Sequence, residues 1–188
     1  MRMYVKTDIV YLIESTHLFI RIIIMSALQQ LLDIYRSESQ TEREKGTYFE
    51  QLIVAYLTNE PTYSDLYSDV WMYADWAKAY GRDGKDVGID LVAKTRNTDE
   101  YHAIQCKCYD ESYRLQKKDI DSFFTASGQD PFTHRIIVST TNNWSENAEA
   151  ALIGQNPPVT KIDLQALEDS VIDWSIYKPN TTVQRKVK

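Results

Sequence analysis

The chain has 188 residues, which is enough for one domain with a substantial hydrophobic core. Hydrophobic residues make up 43% and charged residues 26%, as in an ordinary globular protein, and the few glycines and prolines argue against disorder. The formal net charge of −6 excludes a protein that binds nucleic acid through an overall basic surface. A local basic face, or an acidic site that approaches phosphates through divalent cations, is compatible with that charge.

The N-terminal segment, residues 1–24, is largely apolar but contains three strongly polar residues: Glu14, His17 and Arg21. They argue against a membrane span, and the segment lacks the small-residue cleavage signal of a secretory peptide. The stretch MSALQQLLDIYRS, which begins at Met25, is typical of a protein N-terminus that enters a helix capped by Ser26. We therefore expect residues 1–24 to be a non-native extension from a misplaced start codon.

Apolar spacing predicts two helices in the next part of the chain, over 26–36 and 47–57. In the second helix, Glu50 lies beside the apolar stripe rather than opposite it. Residues 61–80 are rich in Tyr, Trp and Asp, and their pattern fits short helices as well as a strand. We interpret these aromatic side chains mainly as core, with stacking on nucleic-acid bases as the alternative.

The second half of the chain alternates strands with helices. Strands over 89–94 and 101–108, joined by the turn TRNTDE, predict an antiparallel hairpin. The later predicted elements are a helix over 115–126, a strand over 135–140, a helix capped by Asn143, a short strand after Pro158 and a closing helical segment. This order predicts an α/β fold of three layers, with a central mixed β-sheet flanked by helices. We place the domain at 25–178 and interpret 179–188 as a polar, basic tail or linker.

The only two cysteines, Cys106 and Cys108, lie on the same side of one predicted strand. That geometry is poor for a disulfide and indicates a reducing cytoplasm. His102 shares their strand parity, which is compatible with zinc. A closed zinc site needs four ligands, usually from two elements, and the sequence offers no second Cys/His pair. The cysteines are therefore interpreted as two small buried thiols.

Polar residues interrupt both apolar strands of the predicted hairpin, at positions that face each other across it. If the turn is centred near Asn97, Asp90 lies directly opposite Gln105, with Cβ atoms about 5 Å apart. Lys107 points to the same side as Gln105, because alternate residues of a strand share a face. A structural salt bridge between Asp90 and Lys107, with Gln105 facing solvent, is the simpler interpretation of such a pattern.

The same residues also suit Mg²⁺-assisted hydrolysis of a phosphodiester. Mg²⁺ takes oxygen ligands, and the Asp90 carboxylate, the Gln105 amide oxygen and the Cys106 carbonyl are three candidates. Lys107 would position the attacking water or neutralise developing charge. Asp86, in the glycine-bounded loop before the strand, would join the outer shell of the metal.

The segments DVGIDLVA and IQCKCY resemble the PD-(D/E)XK nuclease superfamily, specifically its Mrr-like restriction endonucleases. The resemblance covers roughly residues 44–141, with GTYFEQLIVAYL as the first helix and RIIVSTT as a core strand. It implies catalytic roles for Asp90, Gln105 and Lys107, and for Glu50 of the first helix. Gln105 replaces the commoner Glu or Asp, as in many Mrr-like members, which implies a lower metal affinity. The chain is also similar to the N-terminal nuclease domain of Type ISP-like single-chain restriction–modification enzymes.

The resemblance implies a Mg²⁺-dependent endonuclease, with Mn²⁺ as a substitute, that cuts double-stranded DNA in the cytoplasm for a restriction–modification system. Its partners would be helicase and methyltransferase domains or subunits, and a dimer would supply the two active sites that double-strand cleavage needs. From the sequence we also predict four basic contacts to DNA phosphates: Lys85, Arg114, Lys117 and Lys118.

Two other functions are compatible with the same resemblance. One is a nuclease-fold module that binds DNA or a protein without cutting, and the other is a junction resolvase or repair nuclease. The sequence contains no P-loop of a motor and no Gly-x-Ser-x-Gly of a serine hydrolase.

Overall fold

A computed structural model of the protein describes residues 25–85 and 87–187. The predictions made for residues 1–24 and for Asp86 fall outside the described residues. In the part of the chain that the structure describes, no helix is long and apolar enough to cross a membrane.

Two long helices begin the described chain, α1 at Ala27–Glu38 and α2 at Glu42–Asn59. Ser26 caps α1 as predicted, since its hydroxyl accepts a hydrogen bond from Gln29 N while the Gln29 side chain accepts one from Ser26 N. Helix α2 begins earlier than predicted, because the Thr41 hydroxyl accepts from the backbone of its first turn and so caps it there.

A five-stranded mixed sheet forms the centre of the domain. Its strands are β1 Tyr67–Met72, β2 Leu91–Thr95, β3 Tyr101–Lys107, β4 Phe132–Ser139 and β5 Val159–Ile162. The spatial order follows the chain order. The first three strands pair antiparallel, whereas β4 pairs parallel with both β3 and β5. The predicted central mixed sheet is therefore confirmed.

Short helical segments fill the connections between strands. They are α3 Pro61–Ser64, α4 Tyr73–Ala79, a 3₁₀ turn Lys117–Asp119, α5 Asp121–Ser127, α6 Glu146–Ala150 and α7 Leu164–Glu168. The single helix predicted over 115–126 is interrupted at Ile120, whose φ of −121° is not helical. The predicted cap of α6 was wrong: Ser145 caps it by accepting from Ala148 N, while Asn143 N donates to Thr141.

Hydrophobic side chains cover both faces of the sheet. Leu91 and Ile104 pack with α1, α2 and α7, whereas their strand neighbours Val92 and Ala103 pack with α4, α5 and α6. Because neighbours in a strand point to opposite faces, these two clusters form the outer layers of a three-layer fold. The aromatic segment contributes mainly to the core, as predicted, with Trp76 only 1% exposed.

The predicted closing helical segment over 164–177 is helical only in its first part, which is α7, and the rest of the C-terminal segment runs back along the domain. After α7 ends, Asp173 N donates to Gln184 O at 2.9 Å, and Lys186 N donates to Val171 O at 2.8 Å. The side chain of Val183 packs against the hydrophobic core. The domain boundary after residue 178 stays a prediction.

A buried guanidinium joins β4 to the end of α5. Arg135 is 2% exposed, and its Nε donates to Ser127 Oγ at 2.9 Å. Its Nη1 donates to Gln155 Oε1 and Pro157 O, and its Nη2 donates to Phe124 O at 3.1 Å. The partial negative charge of the helix C-terminus favours a cation at this position.

We expect Arg135→Met to lower the free energy of unfolding by about 3 kcal/mol, because buried carbonyl groups lose their donors. Urea denaturation measures the change. The matched control is Arg43→Met at an exposed position of α2, where we expect a change of about 0.5 kcal/mol or less. Equal losses in the two variants would contradict a structural role for the buried arginine.

Candidate active site

Asp90 and Gln105 lie at the same level of the β2–β3 hairpin. The strands pair Leu91 with Ile104, and continuing this register by one residue puts Asp90 opposite Gln105, as the sequence predicts. Asp90 N donates to Ile104 O at 2.9 Å. The Asp90 carboxylate oxygen Oδ2 accepts from Cys106 N at 2.6 Å. The side chain of Asp90 is thus fixed against the backbone of the facing strand.

The Gln105 amide is buried, with only 2% of the residue exposed. Its Nε2 donates to the carbonyl oxygen of Gly88 at 3.0 Å. Its Oε1 has no hydrogen-bond partner among the described residues. A buried acceptor left without a donor costs about 1–3 kcal/mol, so this oxygen is a candidate position for a bound ligand.

Glu50 reaches the same region from α2, which packs on β3. Its Oε1 lies 3.8 Å from the position that a Cβ on Gly46 would take. Burial raises the pKa of the Cys106 thiol well above its ordinary value, and the carboxylates of Asp90 and Glu50 raise it further. Both carboxylates are therefore close enough to act electrostatically on the Cys106 thiol.

Lys107 is the last residue of β3 and is partly buried. Its carbonyl accepts from Thr140 N at 3.0 Å, which fixes the strand end against β4. Among the described residues, its ammonium group forms no salt bridge. The structural salt bridge between Asp90 and Lys107, the simpler interpretation of the sequence, is therefore absent from this part of the chain.

The four predicted phosphate contacts are exposed cations, with Lys85 and Arg114 in loops and Lys117 and Lys118 in the 3₁₀ turn. Lys85 forms an ion pair with Asp83 at 3.0 Å, and Lys117 forms one with Asp121 at 2.5 Å. Arg114 and Lys118 are exposed as well. Exposed ion pairs contribute little free energy, so these pairings leave the cations able to exchange partners with phosphate.

The alternative zinc site is not supported in the residues that the structure covers. They contain no group of three or more His, Cys, Asp or Glu side chains that is suited to a metal ion. His102 Nδ1 instead hydrogen-bonds with the Tyr67 hydroxyl at 2.8 Å. Burial raises the pKa of both Cys106 and Cys108, as expected for buried thiols.

A buried histidine, His102, and a half-buried one, His134, form an acid-sensitive contact in the fold. The rings of His102 and His134 lie 4.9 Å apart. Burial, with a smaller contribution from His134, lowers the pKa of His102 to about 4, and burial lowers the pKa of His134. In the unfolded chain an imidazole has a pKa of about 6.5, so the unfolded chain takes up protons first as the pH falls.

We expect this difference to make the protein less stable in acid. The contribution of His102 is complete well above pH 6.5 and is lost as the pH falls toward 4, with on the order of 2 kcal/mol lost between pH 7 and pH 5. Urea denaturation at pH 7 and pH 5 measures it, and His102→Gln should flatten the dependence. An unchanged pH dependence in that variant would contradict the assignment.

Comparisons with known proteins bear on the family and the fold. The family described as "Restriction endonuclease" matches residues 58–184, more than half of the chain. The structure is similar to the ATP-dependent Type ISP restriction–modification enzyme LlaBIII bound to DNA, with 30% sequence identity and a TM-score of 0.64. That match covers 83% of this chain and 10% of the LlaBIII chain.

A second solved structure shares the fold alone. It is the DNA modification-dependent restriction endonuclease AspBHI, with 16% identity and a TM-score of 0.50 over 76% of this chain and 34% of that chain. This chain therefore spans well under half the length of either relative. No curated protein matches it. The predicted α/β fold of restriction endonucleases is confirmed by these likenesses.

Proposed function

Because the chain belongs to the restriction endonuclease family, we propose that it is the cleavage module of a restriction–modification system and hydrolyses DNA phosphodiester bonds. The observation that carries the proposal is the buried Gln105 oxygen, which has no hydrogen-bond partner among the described residues, at the strand position that faces Asp90. A cation bound between them would satisfy that oxygen and offset the negative charge. The ammonium of Lys107, which has no ion pair with a described residue, is available for the phosphate.

Mg²⁺, with Mn²⁺ as a substitute, fits the side chains present at this site. The donors are all oxygens: the Asp90 carboxylate, Gln105 Oε1 and the Cys106 carbonyl, with Glu50 adding a second carboxylate nearby. When bound, the cation supplies Lewis acidity to the scissile phosphate and to the attacking water. We further propose, from the sequence alone, that Asp86 would join the outer shell of the cation.

The chain's own groups orient the substrate and stabilise charge. Lys107 positions the attacking water or offsets the negative charge that develops on the phosphate. Asp90 acts from a fixed position, because Cys106 N holds its carboxylate. The exposed cations at Lys85, Arg114, Lys117 and Lys118 would contact DNA phosphates, which positions double-stranded DNA without selecting a sequence.

Target choice and energy supply belong to other parts of the system. LlaBIII, which shares this fold over a tenth of its length, is an ATP-dependent restriction–modification enzyme. By analogy we assign helicase and methyltransferase functions to further domains or subunits. Two copies of the cleavage module would be needed to cut both strands, so we expect a dimer or an encounter of two complexes.

Nicking of supercoiled plasmid tests the proposal. The purified chain should convert plasmid to the nicked form only when Mg²⁺ or Mn²⁺ is added. A chain that retards the plasmid in a gel but makes no nicks at any metal concentration would contradict the proposal and favour a non-catalytic binding module. Strong preference for branched over linear DNA would favour a junction resolvase.

A further inference from the structure

We infer that the main-chain carbonyl of Gly88 holds the Gln105 amide in one orientation, which makes Gly88 a positioning residue and makes glutamine, rather than glutamate, the residue that this site requires. The contact that carries the inference is the 3.0 Å hydrogen bond from Gln105 Nε2 to Gly88 O. The part that concerns metal binding rests on the proposed function. The part that concerns the choice of an amide stands on this contact alone.

The Gly88 carbonyl oxygen can only accept, so the atom facing it must carry a hydrogen. The amide of Gln105 provides one. An ionised glutamate at the same position would place a carboxylate oxygen about 3 Å from the carbonyl oxygen, in a pocket where water cannot screen the repulsion. Gln105 is therefore not a weakened acidic ligand, because the backbone opposite it selects against a negative charge.

Gly88 is held in place by its backbone conformation and by its neighbours. Its φ of +84° lies in the left-handed region that favours glycine. A Cβ at this position would lie 3.3 Å from Ser122 Oγ and 3.7 Å from Phe123 N, both in α5. The loop thus passes closely between α5 and the hairpin, and a side chain at residue 88 would displace its carbonyl.

The hydrogen bond also decides which end of the amide faces the proposed cation. With Nε2 engaged by Gly88, Oε1 is the side-chain atom left without a partner among the described residues. If the amide were released, it would be able to rotate and present its NH₂ group, which cannot bind a cation. Gly88 therefore prepares the ligand before the metal arrives.

Thermal unfolding of the full chain in a chelator tests the choice of an amide without any metal. We expect Gln105→Glu to lower the melting temperature by about 5 °C or more, and Gln105→Met, which introduces no charge, to lower it by less than half as much. If the Gln105→Glu chain has the same melting temperature as the wild type, the inference is overturned.

Repulsion from the other carboxylates of the site must be separated from repulsion by Gly88. The same comparison is therefore repeated in a chain that carries Asp90→Asn and Glu50→Gln. We expect Gln105→Glu to lower the melting temperature in this background too, because the Gly88 carbonyl is unchanged. A lowering that disappears in this background would overturn the inference in favour of repulsion among carboxylates.

Calorimetric titration with Mn²⁺ tests the positioning role. We expect Gly88→Ala to bind Mn²⁺ about tenfold more weakly, although it removes no ligand. The matched control is Gly81→Ala, because Gly81 also has a positive φ of +67° but a Cβ there would meet nothing within 4 Å. Equal losses of Mn²⁺ affinity in both variants, or no loss of Mn²⁺ affinity in Gly88→Ala, would overturn the positioning role.

A wild-type chain that binds no Mn²⁺ would refute the proposed function instead. The comparison of melting temperatures would still decide whether the site requires an amide.

Discussion

Replacing Asp90 with asparagine is expected to lower Mg²⁺-dependent nicking by at least about a thousandfold, equivalent to roughly 4 kcal/mol of transition-state stabilisation. An asparagine oxygen can still accept from Cys106 N, as Asp90 Oδ2 does at 2.6 Å. The hairpin should therefore keep its shape while the charge that attracts the cation is lost. Initial rates of plasmid nicking measure the effect, and calorimetry should show weaker Mn²⁺ binding in the same variant.

The control for this variant is Asp69→Asn on β1, which removes an exposed carboxylate of the same sheet. We expect it to nick plasmid at the wild-type rate and to melt at the wild-type temperature. If Asp90→Asn folds normally and keeps more than a tenth of the activity, Asp90 does not hold the catalytic metal.

The register of the hairpin could be predicted because local patterns determine it. A short turn fixes which residues face one another, and a slip by one residue would move every apolar side chain to the wrong face. Asp90 and Gln105 are single polar interruptions in apolar strands, so their pairing follows once the turn is located. The observed pairing of Leu91 with Ile104 agrees with that reasoning.

The mixed sheet also follows from the order of elements. Strands joined by a tight turn pair antiparallel, whereas β3 and β4 are joined through a helical crossover and pair parallel. The family resemblance found in DVGIDLVA and IQCKCY pointed to the same fold, and the match over residues 58–184 bears it out.

Other features depend on contacts that no local pattern shows. The residues Asn143 and Ser145 are both good helix caps, and the choice between them depends on Thr141, whose hydroxyl accepts from Asn143 N at 3.0 Å. The passage from β1 directly into α4 has no glycine or proline to mark it. The residues over 61–80 were therefore ambiguous between helix and strand.

The hydrogen bond from Gln105 to Gly88 was missed for a similar reason. It joins residues that are far apart in the chain, and its acceptor is a backbone atom that has no sequence signature. The only signal in the sequence for this contact was the high glycine content of the loop before Asp90, which indicates an unusual backbone conformation there. The sequence thus locates the polar residues of the site, and the tertiary packing decides which atom of each one is exposed to a ligand.

Lys107→Met should separate catalysis from metal binding. We expect nicking to fall by about a hundredfold or more, because the variant loses the ammonium that is proposed to offset the charge on the phosphate. Mn²⁺ affinity should not fall, because an ammonium group is not a metal ligand and its positive charge repels the cation. Plasmid nicking and calorimetry on the same preparation measure the two quantities.

The matched control for Lys107 is Lys78→Met, at an exposed position of α4, and it should change neither quantity. This pattern differs from that of Asp90→Asn, in which nicking and metal binding fall together. If Lys107→Met keeps full nicking activity, the lysine has no catalytic role. If Lys107→Met instead loses Mn²⁺ affinity in parallel with activity, its effect arises from a disturbed hairpin. A lysine that acts only on the phosphate and the attacking water would not be needed for Mn²⁺ binding.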